Sequence, residues 1–150
     1  MKVNKRGMDM IKEINRIEIG DIVWVNFEGK GHIQNGARPA IVIQNNKGNI
    51  FSPTIQVVPL TSKLNKAKLP THTIIENNEK TGLRKRSVAQ CEGVRLIMKV
   101  DIIGKLGKVD DETMKRVAEC LFVNNPLLIY FTGNELLNLR TVLCQNNQIA

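Results

Sequence analysis

Two side chains at the edges of apolar runs are of types that can handle a phosphate. Arg38 lies in Gln34-Asn35-Gly36-Ala37-Arg38-Pro39-Ala40, just before the run Ile41-Val42-Ile43, and Thr61 closes Ile55-Gln56-Val57-Val58-Pro59-Leu60. A guanidinium is planar, stays protonated and matches two phosphate oxygens at once. The same high pKa makes it a poor general base, so charge stabilisation, with proton donation beside it, is the role open to Arg38. A threonine hydroxyl held at a strand end can donate to a phosphate oxygen. RNA offers a reaction that suits so spare an inventory, because its 2′-hydroxyl is a built-in nucleophile for the adjacent phosphorus. What remains is to align the groups, stabilise the extra negative charge of the phosphorane and move two protons.

Other readings of the same residues stay open at this level. Arg38 can be a surface residue before a proline, and Thr61 a turn former bonded to its own backbone. His32 and His72 can form an acid–base pair, or be a loop histidine and a half-buried strand histidine. They have no acidic or cysteine partners at metal-ligand spacing, and no P-loop, dinucleotide fingerprint or G-x-S-x-G element is present, so chemistry without metal or cofactor is expected. Ser62 and Lys63 read as phosphate contacts rather than nucleophiles. Trp24 reads as core, and Phe27, at a strand end beside the Gly29–Gly31 loop, reads as the platform on which a base stacks.

The elements that must position these residues are short strands. Gly20 to Thr61 holds three β-branched apolar runs separated by Gly, Asn and Pro clusters. The middle run, Ile41-Val42-Ile43, is nearly continuous in apolar residues and is expected to be buried on both faces. Arg38 and Thr61 then meet at one rim of a small barrel. Thr71–Ile75 and Ser87–Arg95 read as further strands, and Lys99–Lys108 as a short strand or turn. Asp110-Asp111-Glu112 predicts a helix start, followed by the apolar stripe Met114, Val117, Ala118, Leu121 and Phe122, with Asn124-Asn125-Pro126 as its stop. A short amphipathic helix is expected from Asp9 through Ile17, and another around Leu136–Leu143. The fold class is mainly β with α: a small, strongly bent SH3-like barrel with a helix packed on it.

Composition limits the rest. The 150 residues carry a net charge of +8. Residues 60–100 hold nine Lys/Arg against three Asp/Glu, whereas residues 101–150 hold five against six, so a polyanion-attracting field is concentrated mid-chain. A solvated basic face kept for solubility is the bland alternative. Lys63, Lys66, Lys68, Arg84, Lys85 and Arg86 are the expected phosphate contacts. Cys91, Cys120 and Cys144 have neither metal-motif spacing nor an even count, which suits a reducing, cytoplasmic setting. No stretch has the apolar length of a signal peptide or a membrane span.

Gly20-Asp21-Ile22-Val23-Trp24-Val25, Gln34 to Ala40, Ser52-Pro53-Thr54, Leu60-Thr61-Ser62-Lys63 and Pro70-Thr71-His72 occur in an order and spacing that resembles the MazF/PemK/Kid family of toxin endoribonucleases. The likeness continues, more loosely, through Ser87-Val88, Glu92 to Arg95, Gly104-Lys105-Leu106 and Val109 to Glu112. It implies a domain over residues 20–126, flanked by an N-terminal extension (1–19) and a C-terminal one (127–150). It also implies catalysis by an Arg and a Thr at the positions of Arg38 and Thr61, giving 2′,3′-cyclic phosphate and 5′-hydroxyl ends on single-stranded RNA. His32, Gln34, Glu92 and Arg95 join the expected RNA contacts. The implied partners are an acidic antitoxin, a second copy of the chain in a homodimer, and DNA reached through that antitoxin.

Two positions depart from the pattern. Many relatives have Glu where Ile33 stands, and Gln where Gly93 stands, which points to a reduced rate if that Glu handles a proton. Two other functions compete: a CcdB-like poison that binds a protein partner, disfavoured by the Arg-Pro and Thr-Ser-Lys elements, and a catalytically silent RNA-binding module. Loops Gly29–Asn35 and Asn65–Thr71 are expected to set which bases are read.

Overall fold

A computed structural model describes residues 16–29, 36–66 and 68–147, and seven strands within them pair antiparallel. They are β1 (Asp21–Phe27), β2 (Gly36–Val42), β3 (Thr54–Thr61), β4 (His72–Ile75), β5 (Ser87–Gln90), β6 (Arg95–Met98) and β7 (Ile102–Lys108). Helix α1 (Asn46–Phe51) joins β2 to β3, α2 (Asp111–Asn124) follows β7, and α3 (Gly133–Asn147) closes the described chain. The order is β4-β5-β3-β2-β1-β7, with β6 also on β3. The mainly β class with a late helix is the one expected.

β3 is the strand about which the sheet folds. Thr54–Val57 pair with β6, Val57–Pro59 with β2, and Leu60–Thr61 with β5. Such a strand meets apolar neighbours on every side, which is why Thr-Ile-Gln-Val-Val-Pro-Leu-Thr is so apolar and so buried. Alternation sends its side chains into two cores. Ile41, Val58 and Leu60 pack with Ile75, Ala89, Cys91 and, from α2, Val117 and Cys120. Val42 and Val57 pack with Val23, Val25, Phe27, Ile55 and Ile97. The middle run is thus buried on both faces, as expected.

The cysteines Cys91 and Cys120 are free thiols inside the first core. Burial, reinforced by the neighbouring thiol, pushes Cys91 up to about 12, and burial also raises Cys120, so both stay protonated.

Two glycines let the β4–β5 connection dock on β7. Gly82 has a φ of +64°, and a Cβ there would lie 2.8 Å from the Leu106 carbonyl carbon. A Cβ on Gly107 would lie 2.7 Å from the Thr81 carbonyl oxygen. Asn78 holds this connection, its Oδ1 accepting from the Lys80 and Thr81 N–H groups, and Lys108 N–H donates to the Lys80 carbonyl. Asp21 secures the other side of β7. It is fully buried, its Oδ2 lying 2.8 Å from Lys105 Nζ and accepting from Glu18 N–H.

Five points differ from the expectations. α1 is a helix the residue pattern conceals; its Asn45 cap accepts from Gly48 N–H. The Ser87–Arg95 run is two strands separated by a 3-10 turn at Cys91–Gly93, and Lys99–Lys108 contains a full seven-residue strand. Phe122 is 48% exposed because it lies off the α2 stripe, where Cys120 is buried instead. Trp24 is 36% exposed, being the outward residue between inward Val23 and Val25. The helix start at Asp110 is as expected, with Asp110 Oδ1 accepting from Thr113 N–H at 2.8 Å. The helix expected from Asp9 falls almost wholly outside the described residues, of which it retains only Arg16 and Ile17.

Candidate active site

Strand register brings the chemistry-bearing residues to one edge. β2 and β3 pair Ala40 with Pro59, Ile41 with Val58 and Val42 with Val57. Because the pair is antiparallel, Arg38, near the start of β2, and Thr61, the last residue of β3, lie at the same end of it. β3 and β5 pair Leu60 with Ala89 and Thr61 with Val88, so the end of β3 lies against the start of β5. β5 and β4 pair Ser87 with Ile75, and one more step sets Arg86 beside Glu76, where the two form an ion pair at 2.9 Å. The start of β2 with Arg38, the end of β3 with Thr61 and the start of β5 beside the Arg86–Glu76 pair therefore lie at the same end of the sheet.

Each side chain on the rim is held for a local reason. Arg38 is half-buried, its Nε below the surface, and pairs in register with Val25. Thr61 Oγ1 accepts from Lys63 N–H at 3.3 Å, so the turn-former reading is partly right. The bond fixes the hydroxyl oxygen and leaves the hydroxyl proton available to a ligand. Ser62, Lys63, Lys68, Arg84, Lys85 and Arg86 are exposed. Arg86–Glu76 is an exposed pair of the kind worth at most about 1 kcal/mol, so a phosphate can compete for Arg86. Lys66 lies in the 3-10 turn Leu64–Lys66, ahead of β4. His32, Gln34 and the departure at Ile33 lie outside the described residues.

The structure takes Phe27 out of the expected surface, while Arg95 is half-buried. Phe27 is 2% exposed, in the second core, because its position in β1 continues the inward alternation of Val23 and Val25. The Arg95 guanidinium lies 5.2 Å from the centre of the Phe27 ring and donates to the Glu28 carbonyl at 2.6 Å. Phe27 is therefore no stacking platform, and Arg95 ties the end of β1 to β6. The proximity of Gly93 to Pro59, 3.5 Å from a Cβ built on it, leaves room for a small side chain there.

His72 and Glu92 form a unit, while the other member of the expected histidine pair, His32, lies outside the described residues. The His72 side chain is 1% exposed, and its Nε2 lies 2.7 Å from Glu92 Oε1. Burial alone would raise the Glu92 carboxyl. Hydrogen bonds from His72, from its own backbone and from Thr71 outweigh that and hold it below the usual carboxylate range. A carboxyl held lower in the fold than in the unfolded chain stabilises the fold above its unfolded pKa. That contribution disappears as pH falls through the lowered value. Glu92→Gln is accordingly expected to lower Tm at neutral pH, with the gap to wild type closing as pH drops below the carboxylate range. Parallel Tm-versus-pH curves, with no closing of the gap, would contradict it.

Among the described residues, no group of three or more His, Cys, Asp or Glu is placed to hold a metal ion, and no helix is long and apolar enough to cross a membrane.

Known proteins carry the same framework. Residues 18–123 match the family of PemK-like, MazF-like toxins of type II toxin–antitoxin systems. Endoribonuclease EndoA of Bacillus subtilis (strain 168) is 38% identical over 113 residues, spanning 75% of this chain and 97% of that protein. MazF from Deinococcus radiodurans superposes with a TM-score of 0.62 at 22% identity, over 71% of this chain and 94% of that one. A mycobacterial endoribonuclease solved in complex with its cognate antitoxin superposes with a TM-score of 0.59 at 20% identity, over 74% of this chain and 96% of that one. With the family pattern matched across most of its length and EndoA this similar, the chain belongs to the PemK-like, MazF-like toxins of type II toxin–antitoxin systems and is an endoribonuclease.

Proposed function

We propose that the enzyme cuts single-stranded RNA by 2′-hydroxyl attack at the Arg38–Thr61 rim. The reading is supported by the antiparallel pairing of β2 with β3, which puts Arg38 and Thr61 at one end of the sheet, near the exposed Lys63 and Arg86. The 2′ oxygen bonds to phosphorus as the bond from phosphorus to the 5′ oxygen breaks, leaving a 2′,3′-cyclic phosphate and a 5′-hydroxyl. Arg38 stabilises the two non-bridging oxygens of the phosphorane and gives a proton to the departing 5′ oxygen, regaining it from solvent, while the Thr61 hydroxyl donates to one of the same non-bridging oxygens. The 2′ proton passes to solvent, since Ile33 supplies no base. Incubating the protein with single-stranded RNA in EDTA and identifying the product ends tests this. Cyclic phosphate and 5′-hydroxyl ends are expected, and 3′-hydroxyl with 5′-phosphate ends would overturn it.

Substrate is gathered by Ser62, Lys63, Lys66, Lys68, Arg84, Lys85 and Arg86, with His32 and Gln34 on the β1–β2 loop. Each phosphate neutralised releases counterions, so the affinity of a catalytically dead variant for RNA should fall about 10-fold or more for each few-fold rise in salt. A flat dependence in a filter-binding titration would make the basic stretch a solubility face only.

Two copies side by side would form a groove long enough for several nucleotides. An extended, acidic, apolar-dotted antitoxin segment would occupy the same cations and would reach DNA-bound complexes with the toxin attached. Such a segment should displace RNA competitively.

A further inference from the structure

Glu92 has no part in the cleavage step, yet its surroundings are closely built. It lies in the Cys91–Gly93 turn that follows β5, where Cys91 N–H donates to the Thr71 carbonyl at 3.1 Å. The buried His72 ring holds Glu92 Oε1 at 2.7 Å, and the Thr71 hydroxyl and the Glu92 N–H also donate to the carboxylate. Three donors fix its direction and favour its charged form. A carboxylate offers about four lone-pair sites, and this side chain remains 40% exposed. It is a rigid, acceptor-only group with capacity for one more donor.

The turn also stands close to the cutting residues. A Cβ built on Gly93 would lie 3.5 Å from Pro59 Cγ, so the turn packs on β3 at Pro59. Pro59 pairs with Ala40, and Thr61 is two residues further on, roughly 7 Å at the rise of a strand. A group placed there faces the nucleotide adjoining the phosphate. Being negative, it repels phosphates, so it can bind only an N–H or O–H donor of that nucleotide. In a single strand the Watson–Crick edges are free to be read. Adenine, cytosine and guanine each carry an exocyclic amino group. Uracil has none, and its one edge N–H lies between two carbonyl oxygens that repel a carboxylate.

Resting on the placement of cleavage at Arg38 and Thr61, we propose that Glu92 is a specificity-determining residue. Its carboxylate accepts a hydrogen bond from the exocyclic amino group of a base flanking the scissile phosphate, favouring A, C or G there over U. His72 and Thr71 position the carboxylate for that contact.

The test is to digest a randomised single-stranded RNA pool and sequence the fragments. At one position flanking the cut, U should be depleted roughly 10-fold, the worth of one hydrogen bond to a charged group. Glu92→Gln presents an N–H beside its oxygen, so a uracil carbonyl finds a donor. Assayed at a temperature where circular dichroism shows it folded, that variant should lose the depletion. A second measurement needs no altered protein. In an RNA with adenine at that position, purine riboside removes only the amino group and should slow cleavage roughly 10-fold. It decides the matter if Glu92→Gln does not fold. A pool cut without discrimination against U would overturn the proposal and leave Glu92 facing a sugar hydroxyl. Depletion that persists in folded Glu92→Gln, or purine riboside cut as fast as adenosine, would overturn it too. The chemical form of the ends tests the cleavage step separately, so either can fail alone. If the pool stays intact, the same base profile is taken from RNA that the protein retains on a filter.

Discussion

Alanine at Arg38 or at Thr61 is expected to slow RNA cleavage by on the order of 10²–10³-fold each, the usual loss when one donor to a developing oxyanion is removed. Both residues stand at strand ends on a rim, so the fold should survive. Thr61→Ala forfeits one bond from Lys63 N–H, about 1 kcal/mol, which is far too little to unfold the domain. Conservative changes separate chemistry from packing. Thr61→Ser keeps the hydroxyl and should recover most activity. Arg38→Lys keeps the charge without the fork and should recover little. His32→Ala should cost cleavage far less than either alanine at Arg38 or Thr61, while His72→Ala should lower Tm by stripping Glu92 of its buried partner. A folded alanine variant at Arg38 or Thr61 that cuts at the wild-type rate would remove that residue from the mechanism.

The largest effect on stability is expected where two backbones touch. Gly107→Ala and Gly82→Ala should each destabilise by on the order of 3 kcal/mol or more, since a methyl at either place drives into backbone, which has no other rotamer to adopt. Gly82 adds the strain of a left-handed φ. Gly104 is the control: it lies in the same strand as Gly107, and an added Cβ meets nothing within 4 Å. Gly104→Ala should stay within about 0.5 kcal/mol of wild type or stabilise slightly. Equal urea midpoints for Gly104→Ala and Gly107→Ala would show that the β4–β5 connection does not bear on β7 as described.

Much of this was legible in the residues because local patterning and tertiary role agree. Ile41 and Val42 read as buried on both faces, and they serve two separate cores. Asp110 read as a helix start, and it caps α2. The pair Arg38 and Thr61 could be named from residue type and strand boundary. That they lie at one end of the sheet follows only from the antiparallel pairing of β2 with β3. Trp24 and Phe27 show where size misleads: three positions apart in one strand they fall on opposite faces, and alternation, not bulk, decides which is buried. The His72–Glu92 pair spans twenty residues, and the Gly82 contact with Leu106 and the Gly107 contact with Thr81 span 24 and 26, so no local pattern announces them. α1 escapes because six residues with two Asn and a Gly have poor helix propensity and are held by a cap and by Asn46.

The central claim is that the substrate's own 2′-hydroxyl is the nucleophile at the Arg38–Thr61 rim. The direct measurement is cleavage of one RNA carrying a single 2′-deoxyribose immediately 5′ of the scissile phosphate, beside the unmodified strand. Binding should be nearly unchanged and that bond should remain uncut. Cleavage of the modified strand at the same bond and rate would contradict it.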